Sequence, residues 1–207
     1  RSRLLMGLVP ALLILIGSGI WSVSMFYRLG NNIDLILREN YQSILAAERM
    51  KEALERIDSG LMFAVGGRDP EARARFEKFE PVFEAQLKLQ KGNITVPGEE
   101  DLTNDLSIQF DRYKEIINRF FEIDPADRSA RSRLYFDEAL PTFEKVKEAA
   151  SSILLLNQNN MEAMDQQARA RSAASVRIMI LALVGSVGMA LLATILLGRS
   201  ILEPIRG

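Results

Sequence analysis

The sequence predicts an all-α fold, an antiparallel up-down four-helix bundle that is continuous with two transmembrane helices. Residues 4–27 and 178–197 are uncharged, and at about 1.5 Å per residue each run can cross the roughly 30 Å hydrocarbon core of a bilayer. Between these runs, apolar residues recur at three- and four-residue steps without strand-like alternation. Four such segments with short connections return the chain to the membrane, as two spans require.

We therefore expect a first span at 4–27, an extracytoplasmic sensor at 28–177, a second span at 178–197 and a short tail at 198–207. A secretory signal peptide has a shorter apolar region than the first run, which also leads directly into a helical pattern. Arginines flank both runs on both sides, so the charge rule decides little. The two chain ends are short tails on one side of the membrane, and the long segment between the spans lies on the other. We therefore place the sensor in a bacterial periplasm and the spans in the inner (plasma) membrane.

Composition excludes several classes of function. The chain has no Cys and no His, which removes disulfides, thiolate or imidazole metal sites and Cys or His nucleophiles. Acidic residues slightly outnumber basic residues between the two spans, so the sensor offers no basic face for nucleic acid. We expect no catalytic residue, no metal site and no cofactor within this segment.

The first helix of the bundle carries a long apolar stripe and ends at Gly66 and Gly67, a good C-terminal stop. The stripe comprises Ile33, Leu37, Ile44, Ala47, Met50, Leu54, Ile57, Leu61 and Ala64. The second helix begins with Asp69 as its capping residue and Pro70 in its first turn. Its stripe is Phe76, Phe79, Phe83 and Leu87, and it ends near Lys91.

Acidic residues 99–101 open the third helix, which stops near Pro125. Its stripe is Leu102, Leu106, Phe110, Tyr113, Ile117 and Phe120. The fourth helix begins between Asp127 and Leu134, and Pro141 is either a kink in it or its true first turn. Its stripe is Leu140, Phe143, Val146, Ala150, Ile153, Asn157, Met161, Met164 and Ala168.

The helix lengths predict a second copy of the chain as partner. The first helix would be about 58 Å long and the second only about 35 Å, so the second and third helices cannot reach the membrane. Near the bilayer the first and fourth helices then need another apolar partner, and a parallel homodimer is the simplest. The polar run Asn157, Gln158, Asn159 and Asn160 would lie in that seam, where polar residues give up stability for register. We predict that Asn157 and Asn160 take part in signal transmission.

Three arginines are candidate ligand-binding residues. A second face of the first helix mixes small, apolar and basic residues, namely Leu45, Arg49, Ala53, Arg56, Gly60 and Phe63. Arg49 and Arg56 could bind an anion there, because guanidinium groups suit carboxylate and phosphate. The alternative is that they pair with Glu48 or Glu52 on a solvated face. Arg68 could hold an anion at the start of the second helix, or it is surface charge.

The tail of the chain resembles the opening of a HAMP linker. Residues 199–207 read Arg-Ser-Ile-Leu-Glu-Pro-Ile-Arg-Gly, and Pro204 matches the proline that starts the first signalling helix of that module. The order of span, helical sensor, span and HAMP start covers the whole chain. Pro204 is therefore our third candidate for signal transmission.

Several short stretches resemble those of helical-bundle sensors in bacterial sensor histidine kinases, namely Asn40-Tyr41, residues 49–53, Arg56, Asp58-Ser59 and residues 93–99. This resemblance implies a homodimeric membrane protein of a two-component system. It also implies ATP as the cofactor of a kinase core beyond this chain, and a response regulator as its partner. The stimulus, a small molecule or a protein, is unknown.

Two alternatives stay open. The chemoreceptor family shares this front half without being enzymatic, and some of its members bind anions through arginines of the first helix at the dimer interface. A plain membrane-anchored structural bundle is the other alternative, which the HAMP-like tail disfavours. In the first two cases a stimulus would change how the first and fourth helices pack, and the fourth helix would carry a small shift through the second span.

Overall fold

The computed structural model describes the backbone from Ser2 to Leu202 and the side chains of residues 38–189, with a few more in the flanking apolar segments. All regular secondary structure in this part of the chain is helical, so the prediction of an all-α fold is confirmed. The elements are α1 (Ser2–Val65), α2 (Asp69–Lys91), α3 (Glu99–Glu122), α4 (Arg128–Leu134), a π-helical turn (Tyr135–Ala139) and α5 (Leu140–Leu202). The predicted ends of the second helix, Asp69 and Lys91, are confirmed.

The chain divides into two compact units. One is Leu35–Ala163, which we call the core unit, and the other combines Arg1–Asp34 with Met164–Gly207. The core unit contains α2, α3, α4 and the π-helical turn entirely, together with the C-terminal part of α1 and the N-terminal part of α5.

An apolar core runs through the core unit, and every one of its helices contributes to it. Its buried members include Ala47, Met50, Leu54, Ile57, Leu61 and Ala64 of α1, Phe83 and Leu87 of α2, Leu106, Phe110, Tyr113, Ile117 and Phe120 of α3, and Val146, Ala150 and Ile153 of α5. The rings of Phe83 and Phe110 stack with their centroids 3.6 Å apart. Each large side chain buried here contributes about 1.5–3 kcal/mol of apolar transfer free energy. All of the residues named here belong to the predicted stripes, so helical periodicity identified much of the core. The core also contains Ala53, which the sequence placed on the second face of the first helix, and Ala72, Ile116 and Tyr135, which no predicted stripe includes.

The end of α1 is a Schellman turn. The amide of Arg68 donates to the carbonyl of Phe63 (2.9 Å), and the amide of Gly67 donates to that of Ala64 (2.9 Å). Gly67 has a φ of 87°, a left-handed conformation that glycine adopts without steric strain. The predicted stop at the glycine pair is therefore confirmed.

The fourth predicted helix is continuous through Pro141, but it changes its winding just before the proline. Residues Tyr135–Ala139 form a π-helical turn, and the amide of Leu140 donates to the carbonyl of Tyr135, five residues earlier. Pro141 has no amide hydrogen and its ring crowds the carbonyl four residues back, and a wider turn relieves that crowding. Pro141 is thus the second residue of α5 and directly follows the π-helical turn.

The predicted capping role of Asp69 is wrong. Arg68 occupies the N-cap position of α2 without a side-chain capping bond, and Asp69 is already helical. The Asp69 carboxylate instead accepts a hydrogen bond from Nη1 of Arg131 at 2.6 Å. Arg131 is 1% exposed and also donates to the carbonyl of Ile123 from Nε and Nη2. A buried guanidinium needs a counter-charge, and this requirement outweighs a cap that water can replace.

One described helical stretch, Arg128–Met189, is long and apolar enough to cross a membrane. Only 6% of its most apolar 18-residue segment is buried. Large apolar side chains within it, such as Leu181 and Val184, are exposed. This finding is compatible with a membrane location. The first span predicted at 4–27 is helical in its backbone, but most of its side chains lie outside the described residues, so it stays a prediction.

Candidate functional site

A buried carboxylate lies at the start of α3. Glu99 is fully buried and accepts four hydrogen bonds. Its Oε1 accepts from Nε2 of Gln90 and Nδ2 of Asn157, both at 2.8 Å. Its Oε2 accepts from the backbone amides of Thr95 (2.9 Å) and Val96 (3.0 Å). One side chain thus joins α2, the α2–α3 loop, α3 and α5.

Hydrogen bonding keeps Glu99 acidic in spite of its burial. Desolvation by itself would raise the pKa of the carboxyl group. The bonds from the Thr95 amide, Asn157, Gln90 and the Val96 amide favour the charged form and together outweigh desolvation, so the pKa of Glu99 is lowered. The core unit therefore holds a buried negative charge that amide dipoles stabilise.

The same loop is bound to α1. Nδ2 of Asn93 donates to the carbonyl of Glu39 (2.7 Å) and to Oγ of Ser43 (2.9 Å). Oγ1 of Thr95 donates to Oδ1 of the fully buried Asn40 at 3.4 Å. We call the joined residues Asn40, Gln90, Asn93, Thr95, Glu99 and Asn157 the Glu99 cluster. It brings together two stretches on which the family resemblance rests, Asn40-Tyr41 and residues 93–99.

Three buried polar atoms of the Glu99 cluster have no hydrogen-bond partner among the described protein atoms. They are Nδ2 of Asn40, Oε1 of Gln90 and Oδ1 of Asn157. A buried polar group without a partner costs about 1–3 kcal/mol. The network around Glu99 itself is complete, but its outer members are not fully satisfied. Such a partly satisfied network is a place where a second arrangement of similar free energy is possible.

The predicted signal-transmission residues have different settings. Asn157 is fully buried inside one chain against Glu99, and not in a seam beyond the ends of the second and third helices as the sequence suggested. Asn160 is partly exposed. Pro204 lies outside the described residues. Sequence reasoning missed Glu99, because three consecutive acids at a helix start look like dipole-compensating surface charge.

A partly buried carboxylate, that of Asp58, lies next to the π-helical turn. Hydroxyl groups of Tyr113 and Tyr135 donate to the two carboxylate oxygens of Asp58 at 3.0 Å and 3.1 Å. Burial raises the pKa of Asp58, while the two hydroxyl groups and the charge of Lys147 lower it without restoring its ordinary value. The ammonium group of Lys147 pairs directly with Glu55, at 2.7 Å.

We expect Asp58→Asn to change the pH dependence of stability. The folded chain binds the Asp58 proton more tightly than the unfolded chain does, so wild-type stability falls as the pH rises from the ordinary pKa of 3.8 through the raised value. The variant lacks this loss, so its free energy of unfolding should rise relative to that of the wild type across this pH interval. Urea titrations followed by circular dichroism measure the difference. Asp101→Asn, at an exposed aspartate, is the control. A constant difference at all pH values would contradict the prediction.

The three predicted ligand-binding arginines are all exposed. Arg68 binds the Glu71 carboxylate through Nε (2.9 Å) and Nη2 (2.6 Å), so a ligand would have to compete with that pair. Arg56 faces Glu52 at 3.8 Å. The Arg49 side chain lies on the exposed surface of α1. Arg49 and Arg56 belong to the second face of the first helix. The part of that face around Gly60 is buried against α2 of the same chain.

Arg56 lines an open groove between α1 and α2. The other lining residues are Glu52, Ala74, Arg75, Lys78 and Phe79. Within the described residues, no group of three or more acidic side chains is placed to hold a metal ion.

Comparison with known proteins identifies no relative. No protein-family model, curated protein or solved structure matches the chain.

Proposed function

We propose that this chain is the signal-input and transmembrane-transmitting part of a two-component sensor histidine kinase. A periplasmic stimulus would be relayed through α5 and the second span to a HAMP module and an ATP-dependent kinase core beyond this chain, and from there to a response regulator. The core unit would be an antiparallel up-down four-helix bundle. Two such chains would form a parallel homodimer in the bacterial inner membrane, each with two spans.

The Glu99 cluster is the observation that carries this proposal. Asn40 of α1 and Asn157 of α5 both belong to it, and they lie five and six residues inside the limits of the core unit, Leu35 and Ala163. The two helices that leave the core unit are thus bound to one polar network just before they leave it. α5 then continues as a helix to Leu202. A movement of α5 along its axis has to break or remake the Asn157–Glu99 hydrogen bond.

The energetics of the cluster suit a switch. A transmitter needs two packings whose free energies differ by only a few kcal/mol, so that a stimulus can reverse their populations. The cluster combines a fully bonded carboxylate with three buried polar atoms that lack a described protein partner, so alternative hydrogen bonds are within reach.

The test is Asn157→Leu in the full-length protein, in membrane vesicles with ATP. Leucine removes the hydrogen bond to Glu99 and the unsatisfied Oδ1 together, so kinase output should become fixed at one level and lose its response to stimulus. Asn159→Leu changes an exposed neighbour and should leave the response intact. Asn160→Leu, at a partly exposed position, should have an intermediate effect. Autophosphorylation is measured with radiolabelled ATP, and circular dichroism establishes that each variant is folded. A wild-type response in Asn157→Leu would refute the role of the cluster.

The alternative is the sensor region of a chemoreceptor, which the sequence resemblance leaves open and in which the basic groove at Arg56 would be the ligand site. The same experiment separates the two functions. A full-length protein that never autophosphorylates by itself, but that modulates a separate kinase, would be a chemoreceptor. In that case Asn157→Leu should still remove the modulation.

A further inference from the structure

The groove between α1 and α2 is lined by three cationic side chains and one aromatic ring. Arg56 comes from α1, Arg75 and Lys78 come from α2, and Phe79 contributes the ring. Its volume is about 500 Å³, within the range of roughly 300–1,000 Å³ that small-molecule sites occupy. The groove has the size of a ligand site and a surplus of positive charge.

The charges in the groove are poorly neutralised. Glu52 is the one acidic residue among the lining side chains, and it faces Arg56 at 3.8 Å. Both partners of this pair are more than half exposed, and such surface pairs contribute about 0–1 kcal/mol. Arg75 and Lys78 make no ion pair with any described residue; each lies over an aromatic ring, that of Phe63 or Phe79.

Packing against α1 holds Arg75 in position. Gly60 is buried, and a Cβ atom at this position would lie 3.1 Å from Cβ and 3.2 Å from Cδ of Arg75. The absent side chain of Gly60 therefore lets the Arg75 stem lie directly on α1. Its guanidinium carbon is 4.8 Å from the centroid of the Phe63 ring. A guanidinium that packing already places loses less conformational entropy when it binds a ligand.

We propose that this groove binds a small organic anion that carries carboxylate or phosphate groups. Guanidinium groups bind these oxyanions through paired hydrogen bonds, Lys78 adds a point charge, and Phe79 offers an apolar contact to the ligand body. The site uses Arg56 with Arg75 and Lys78 of the same chain. Its role as the sensor input depends on the proposed function, whereas binding itself does not.

Calorimetric titration of the full chain in neutral detergent micelles tests binding, with citrate and inorganic phosphate as probes at fixed ionic strength. We expect one citrate per chain, with a dissociation constant on the order of 1 mM or lower. Arg75→Gln and Lys78→Gln should each weaken citrate binding about five- to tenfold. Glu52→Gln should strengthen it, because this change removes the negative charge of the groove. Tighter binding of citrate than of phosphate would identify the ligand class as carboxylate, and the reverse order would identify it as phosphate.

Arg112→Gln is the matched control, because Arg112 is an exposed arginine of α3 outside the groove. It should leave the citrate affinity within about twofold. Equal weakening in Arg112→Gln and Arg75→Gln would show unspecific attraction and overturn the proposal, as would the absence of binding by either probe. Citrate that binds in the groove without changing autophosphorylation would leave the site standing and refute only its role as the sensor input.

Discussion

Glu99→Gln is expected to destabilise the core unit by about 3 kcal/mol. An amide has one acceptor oxygen and one donor nitrogen. It can therefore accept either from the Thr95 and Val96 amides or from Gln90 and Asn157, but not from both pairs. If the oxygen accepts from the backbone amides, the NH₂ group faces Gln90 and Asn157, which can accept from it only by turning over their side-chain amides. Asn157 then loses its hydrogen bond to the Ile153 carbonyl, and the bonds to a charged carboxylate are replaced by weaker neutral ones. Urea or thermal unfolding of the full chain in micelles, followed by circular dichroism at neutral pH, measures the loss.

Glu100→Gln is the matched control for this prediction. Glu100 is the next residue along α3 and is exposed, so its change should stay within about 0.5 kcal/mol. Equal stability of the two variants would show that the four hydrogen bonds of Glu99 contribute nothing.

The pH dependence gives a second readout for Glu99. Its pKa is lower in the folded chain than the ordinary value of 4.5, so its contribution to stability is present above pH 4.5 and is lost as the pH falls through the lower folded-state value. Glu99→Gln should remove this part of the acid sensitivity. The sign is opposite to that of Asp58, whose raised pKa makes stability fall as the pH rises. Unchanged acid sensitivity in Glu99→Gln would contradict the role assigned to the hydrogen bonds.

Arg131→Met is expected to destabilise the core unit by about 3–5 kcal/mol. Methionine keeps an apolar stem of similar length over Phe120, but it leaves the Asp69 carboxylate and the Ile123 carbonyl without their donor. Unfolding in urea at neutral pH measures the loss. Arg133→Met is the control, because Arg133 lies two residues further along α4 and is exposed.

A double-mutant cycle shows whether the Arg131 effect comes from the ion pair. Asp69→Asn retains an acceptor oxygen, so alone it should cost less than Arg131→Met. The double variant should cost less than the sum of the two single changes, because the carboxylate is no longer left unpaired. Additive effects, or an Arg131→Met variant as stable as Arg133→Met, would exclude the buried pair as a source of stability.

Helical periodicity predicted most of the helical fold. The buried stripe from Ala47 to Ala64 and that from Leu106 to Phe120 were predicted, because a 3.6-residue repeat decides by itself which side of a helix faces a core. The stop at Gly67 was equally predictable, because few residues other than glycine tolerate its backbone conformation. Composition alone excluded thiol and imidazole chemistry.

The candidate sites depended on contacts that no local pattern records. Arg131 and Asp69 are 62 residues apart and meet in a buried ion pair, and Asn157 and Glu99 meet over 58 residues. Sequence reasoning placed Asn157 in a seam between two chains, whereas it is buried against Glu99 of the same chain. For Arg56 it offered Glu52 as a possible partner, which the structure shows, but it did not predict the neighbouring side chains of α2.

The sequence by itself determined the helical fold, the core stripes, the turn glycines and the apolar segments, because each depends on a repeat or a residue type within one stretch of chain. Only the tertiary structure decided that Glu99 is a buried charge, that Asn157 packs inside one chain and that Arg75 and Lys78 share a groove with Arg56. The physical reason is that the free energy of a charged or amide side chain depends on which donors and acceptors surround it, and packing brings those partners from distant parts of the sequence.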